Sequence, residues 1–125
     1  MSTKSTGPKR WPSEITYDST RKLLHVVFGN SEVFDLPAEY LRVESPSAEV
    51  QGHSPSHKQL VYGRRHVSII DIEQVGNYAV RLVFDDLHDT GIYSWPYLYE
   101  LGQQRSARWK NYLEALEAKG YNRDP

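Results

Sequence analysis

The chain has 125 residues, with 15 Lys and Arg against 16 Asp and Glu, and its formal net charge is −1. That near balance excludes a global field that would gather nucleic acid or anionic lipid. The absence of cysteine excludes disulfides, thiolate metal sites and cysteine nucleophiles, and makes a reducing cytoplasm the expected setting.

Residues 1–10 carry charges with no apolar segment behind them, so they read as a flexible leader and not a secretion signal. Residues 11–120 are expected to form one domain and residues 121–125 a tail. No apolar run approaches the roughly 20 residues that cross a bilayer. Residues 14–17 predict a short strand, and residues 23–28 a mostly apolar one. Gly29-Asn30 is a two-residue hairpin signal into residues 32–36. Pro37 then opens one or two helical turns through Arg42.

Residues 45–63, punctuated by Pro46, Gly52, Pro55 and Gly63, predict the longest loop. Residues 67–73 and 78–84 predict a second hairpin around Gly76-Asn77, with Tyr78, Val80, Leu82 and Phe84 on one face. Residues 82–98 concentrate the most information. An apolar strand enters an acidic turn holding His88, extends again through Tyr93, and enters a helix at Ser94-Trp95-Pro96 that Gly102 is expected to cap. Ser106 starts the last helix, whose Trp109, Tyr112, Leu113 and Leu116 fall at i, i+3, i+4, i+7, with Lys119 and Gly120 ending it. Hairpins first and the main helix last predict an α+β fold of two layers, an antiparallel sheet packed by the C-terminal helix. The two halves echo each other, each reading strand, turn, strand, proline-opened helix.

Five histidines and no thiol narrow the chemistry. His88 lies between Asp86 and Asp89, and a neutral imidazole beside carboxylates is a metal ligand candidate. His53 and Glu49 are its nearest allies in the long loop. Arg64-Arg65-His66 offers an anion-binding edge, and without interleaved aromatics it marks no base-stacking platform. Asp85 and Asp86 are strand neighbours pointing to opposite faces, which argues against an acid–base pair. No G-x-S-x-G, Walker loop or G-x-G-x-x-G is present, and no His starts an H-x-D or H-x-E. Tyr93, Trp95 and Tyr97, with Arg64 and Arg65, are expected to offer an anchor surface to a protein partner.

Four stretches in order carry a resemblance: Leu36-Pro37-Ala38-Glu39-Tyr40-Leu41-Arg42, residues 45–53, Val75-Gly76-Asn77-Tyr78-Ala79-Val80 and His88-Asp89-Thr90-Gly91-Ile92-Tyr93-Ser94-Trp95. Together they resemble the small bacterial proteins of domain of unknown function 971, similar to the N-terminal domain of gamma-butyrobetaine hydroxylase. The resemblance spans residues 11–118 and implies an α+β domain found alone or fused ahead of 2-oxoglutarate/iron oxygenase domains. It also implies a structural zinc held by three cysteines and a histidine. The histidine corresponds to His88, while the cysteine cluster falls across residues 45–50, which hold Ser45, Ser47 and Glu49 but no thiol. Leu87 and Pro96 depart from the glycine and aspartate common there. The oxygenase residues belong to a domain outside this resemblance, so the chain is expected not to be an enzyme. The reading is a stand-alone accessory module that binds a protein, with no cofactor. Its alternative is a zinc- or iron-binding domain using His88, His53, Glu49 and Asp86.

Overall fold

The computed structural model describes residues 11–52 and 58–125. Strand β1 (Pro12–Asp18) pairs antiparallel with β2 (Leu23–Phe28), and β2 with β3 (Val33–Pro37), giving a three-stranded sheet in chain order. Helices α1 (Ala38–Val43) and α2 (Ala48–Gln51) follow. Strands β4 (Ile69–Val75), β5 (Ala79–Phe84) and β6 (Gly91–Ser94) form a second antiparallel sheet of the same order. Helices α3 (Trp95–Gln103) and α4 (Arg105–Lys119) complete an α+β fold. The echo between the halves is thus architectural: three antiparallel strands and then a helix, twice.

Period-2 alternation builds both sheets. Leu24, Val26 and Phe28 point inward from β2, and Val80, Leu82 and Phe84 from β5, each at most 4% exposed. They meet Leu36, Tyr40, Leu41, Tyr93, Leu98 and Leu101 in one core. Phe28, Phe34 and Tyr99 pack edge-to-face in it, with centroids 5.1–5.9 Å apart. A single tyrosine ties the sheets together: Tyr17 of β1 places its hydroxyl 2.8 Å from Ser68 Oγ and accepts the Ile69 N–H. Helix α4 packs on this body through Tyr112, Leu116 and half-buried Trp109, against Val43, Leu60 and Val61.

Several expectations change for local reasons. Strand β5 starts at Ala79, so Tyr78 belongs to the turn and is exposed rather than sharing the core face. Gly102 lies inside α3 and does not cap it. A Cβ there would lie 2.4 Å from the Phe34 ring, so close packing and not a left-handed turn demands glycine. Leu113 is exposed, which narrows the buried stripe of α4 to Tyr112 and Leu116. Within the expected long loop, α2 forms because Ser47 accepts the Glu49 N–H as an N-cap.

Residues 121–125 lie along residues 62–65: Asn122 and Arg123 carbonyls accept the Gly63 and Arg65 N–H groups. Tyr121 stacks on Tyr62, and Arg123 forms two hydrogen bonds to Glu39. Among the described residues no helix is long and apolar enough to cross a membrane.

Candidate functional site

The turn between β5 and β6 folds back tightly, with the Phe84 N–H bonded to the His88 carbonyl and the Leu87 N–H to that of Phe84. This places His88 under the end of α1 and the start of α2, where it is 5% exposed. Its Nε2 lies 2.8 Å from Ser45 Oγ, and its Nδ1 lies 3.2 Å from Glu49 Oε1. A carboxylate only accepts, so the pattern assigns the proton to Nδ1 and makes Ser45 the donor to Nε2. Burial, reinforced by the Arg42 guanidinium, pushes the imidazole's pKa below its ordinary value of 6.5, while Glu49 and Asp86 pull the other way. Ser47 and Thr90 join their hydroxyls at 2.7 Å beside this pair, and Gln51 donates to the Ser45 carbonyl.

Asp86 faces a different set of partners. Arg42 Nε donates to it at 2.8 Å, and Arg64 Nε sits 2.7 Å away as an ion pair whose N–H is not aligned for a hydrogen bond. Burial raises the Asp86 carboxyl, but Arg42, the His88 N–H and Arg64 together outweigh it and hold the group below its ordinary range. Its other oxygen accepts the His88 N–H. Asp85 instead bonds the Ser68 N–H, so the two aspartates diverge, although they lie in the turn after β5 and not in the strand that the sequence suggested.

No spacing links Ser45 to His88, and the resemblance set residues 45–50 beside His88 only as a place without thiols; the fold brings these residues, 43 positions apart, into contact. Serine Oγ to Nε2 and Nδ1 to carboxylate is the connectivity of an acyl-transfer triad. Access is what it lacks. Ser45 is 0% exposed, and a Cβ on Gly91 would lie 2.6 Å from its Oγ, so the β6 backbone closes over the hydroxyl. Cavities of about 750, 500 and 330 Å³ are all lined by other residues. The arrangement therefore works as a strut, joining the α1–α2 connection to the β5–β6 turn through satisfied polar groups.

The zinc site implied by the resemblance does not fit these donors. Serine hydroxyls do not replace thiolates, His88 and Glu49 are bonded to each other, and Asp86 is held by two arginines. Among the described residues no group of three His, Asp or Glu side chains is placed to hold a metal. His53 lies outside the described residues.

The expected partner surface is also rearranged, because these aromatics serve the interior. Tyr93 is 0% exposed and donates to the Leu41 carbonyl at 2.6 Å. Trp95 is 8% exposed and donates to the Asn77 carbonyl. Tyr97 donates to the Glu44 carbonyl and lies under Arg108, and burial pushes its hydroxyl up to about 12. Arg65 pairs with Asp124, and with Arg64 on Asp86 neither guanidinium is left as an anion-binding edge.

Comparisons with known proteins bear on this geometry. Residues 15–99 match the family model described as gamma-butyrobetaine hydroxylase-like, N-terminal. Two proteins with NMR solution structures are similar at 45% and 42% identity, each with a TM-score of 0.81. The first alignment covers 94% of this chain and 93% of the other, the second 97% and 92%. A crystal structure of a protein of unknown function of the DUF971 family, from Acidithiobacillus ferrooxidans ATCC 23270, is 36% identical with a TM-score of 0.65. That alignment covers 78% of this chain and 98% of the other. No curated protein matches.

Proposed function

The chain belongs to the gamma-butyrobetaine hydroxylase-like, N-terminal family, and from that premise we propose a stand-alone accessory module that binds a protein partner and performs no catalysis of its own. The proposal includes a cytoplasmic setting and no resident cofactor. The polar cluster at His88 supports it, since the side chains of His88, Ser45 and Asp86 are each bonded within the fold.

One observation carries the reading. Leu87 is 85% exposed and sits at φ +73°, a left-handed conformation that residues other than Gly, Asn and Asp adopt at a cost of roughly 1–2 kcal/mol. A large apolar side chain held in strain at a turn tip satisfies nothing within its own chain. Such a break of local rules with no internal compensation marks a surface read by something else.

Leu87→Asn separates binding from folding, because asparagine suits the backbone while removing the apolar contact. The variant is expected to unfold about 1 kcal/mol later in urea than wild type. In affinity capture from native cells it is expected to lose a protein that the wild type retains. Identical capture by both forms, or no retained protein at physiological salt, would sink the proposal.

A further inference from the structure

We propose that the outward ridge of α4 is an interface between two copies of this chain, packed antiparallel. The groove between this ridge and Pro37 and Tyr40 has a volume of about 750 Å³. Residues Arg105, Trp109, Leu113 and Glu117 follow one i+4 row along it, and Ser106, Lys110 and Glu114 the next. Trp109 is half-buried and Leu113 is 40% exposed, an apolar centre flanked by charge at both ends.

The order of those charges is the second observation. Basic Arg105, Arg108 and Lys110 occupy the N-terminal half of the helix, with no acid in its first turn, while Glu114 and Glu117 occupy the C-terminal half. Each end thus carries the sign that the helix macrodipole disfavours, Lys119 excepted. Arg105 donates to the Asp35 carbonyl and Arg108 pairs with Glu44 and Glu100, but the side chains of Lys110, Glu114 and Glu117 form no hydrogen bond or ion pair among the described residues. Lys110 and Glu114 stand four apart, but with Lys leading, the weaker orientation for an intrahelical pair.

An antiparallel second copy resolves both features at once. Arg105 would face Glu117 of the second copy, Trp109 would face its Leu113, and Lys110 its Glu114. Arg105–Glu117 and Trp109–Leu113 fall on one register about a two-fold axis level with Asn111, Lys110 reaches Glu114 diagonally across it, and each pairing occurs twice in the isologous contact. The Arg123–Glu39 pair forms part of the groove's far wall and is already satisfied. This interface uses none of the residues around Leu87, so self-association survives Leu87→Asn whatever that variant does to partner capture.

Sedimentation equilibrium of the full chain at low and high salt tests the proposal. Wild type is expected to form a dimer at tens of micromolar that weakens as salt rises. Lys110→Glu is expected to raise the dimer Kd by about tenfold or more. Adding Glu114→Lys to the same chain exchanges the signs on both copies and restores association. Leu113→Asp, at an exposed position, is expected to give a folded monomer by circular dichroism. A monomer at every concentration up to about 1 mM at low salt would overturn the interface. So would a dimer indifferent to Lys110→Glu, or one that the compensating substitution fails to restore.

Discussion

The strut around His88 and the outward ridge of α4 draw on similar side chains, yet the fold treats them in opposite ways. His88 and Ser45 are buried and Asp86 half-buried, and each faces a named donor or acceptor, with Arg42 Nη1 beside them left without a partner among the described residues. Along α4, Lys110, Glu114 and Glu117 are exposed and unmatched around a half-buried tryptophan. A cluster that looks reactive by residue type can thus be fully consumed in holding two loops together. A face that looks like an ordinary solvated helix can retain interaction capacity. The teaching is to look for function where partners are missing, and not where reactive residue types gather.

The comparison breaks most visibly if the strut is cut. His88→Ala is expected to cost roughly 2–4 kcal/mol, because it leaves the buried Ser45 hydroxyl without its acceptor and opens a cavity beside Phe84. Urea denaturation reads this directly, and a loss below about 0.5 kcal/mol would show that the His88 contacts do not hold the two loops together.

A subtler cut comes from protons. His88 titrates below 6.5 in the folded protein and at about 6.5 when unfolded, so below 6.5 the unfolded chain binds the extra proton. Stability from its neutral form is therefore complete above pH 6.5 and falls as pH drops below it. Asp86, held below its ordinary 3.8, loses its contribution only in more acidic solution, which leaves pH 5–6.5 to the imidazole. Denaturation midpoints across that window are expected to decline in wild type and to flatten in His88→Gln. Equal slopes in the two proteins would contradict the assignment.

The smallest effect belongs to the other side of the comparison. Lys110→Glu is expected to shift the unfolding free energy of the monomer by no more than about 0.5 kcal/mol, since the lysine touches no partner in its own chain. A loss above 1 kcal/mol, measured at concentrations too low for self-association, would show that the ridge already serves the fold.

Much of the fold was legible in local chemistry. Gly76 turned the second hairpin, Pro37 preceded the first helix, and Gly120 closed the last one at φ +70°. Periodicity identified Val80, Leu82 and Phe84 as core because burial on one sheet face repeats every second residue. Tyr93, Trp95 and Tyr97, expected as an anchor surface from residue type, instead reach backbone carbonyls at Leu41, Asn77 and Glu44 with their hydroxyl and indole groups. Aromatics with polar tips fit an interior as well as a surface, and sequence alone does not distinguish the two. The site was legible only in part. His88 stood out, but Ser45 drew attention only as a missing thiol, and its contact depends on Gly91 letting two backbones approach. Contacts set by such tertiary approach leave no periodic trace.

The Ser45–His88–Glu49 array, exposed at Glu49 and covered at Ser45 and His88, is a strut and not a reactive centre. Treating the folded protein with a fluorophosphonate and reading the intact mass tests it most directly. No adduct is expected, because Ser45 is fully covered. A stoichiometric adduct on Ser45 that disappears in His88→Ala would contradict it.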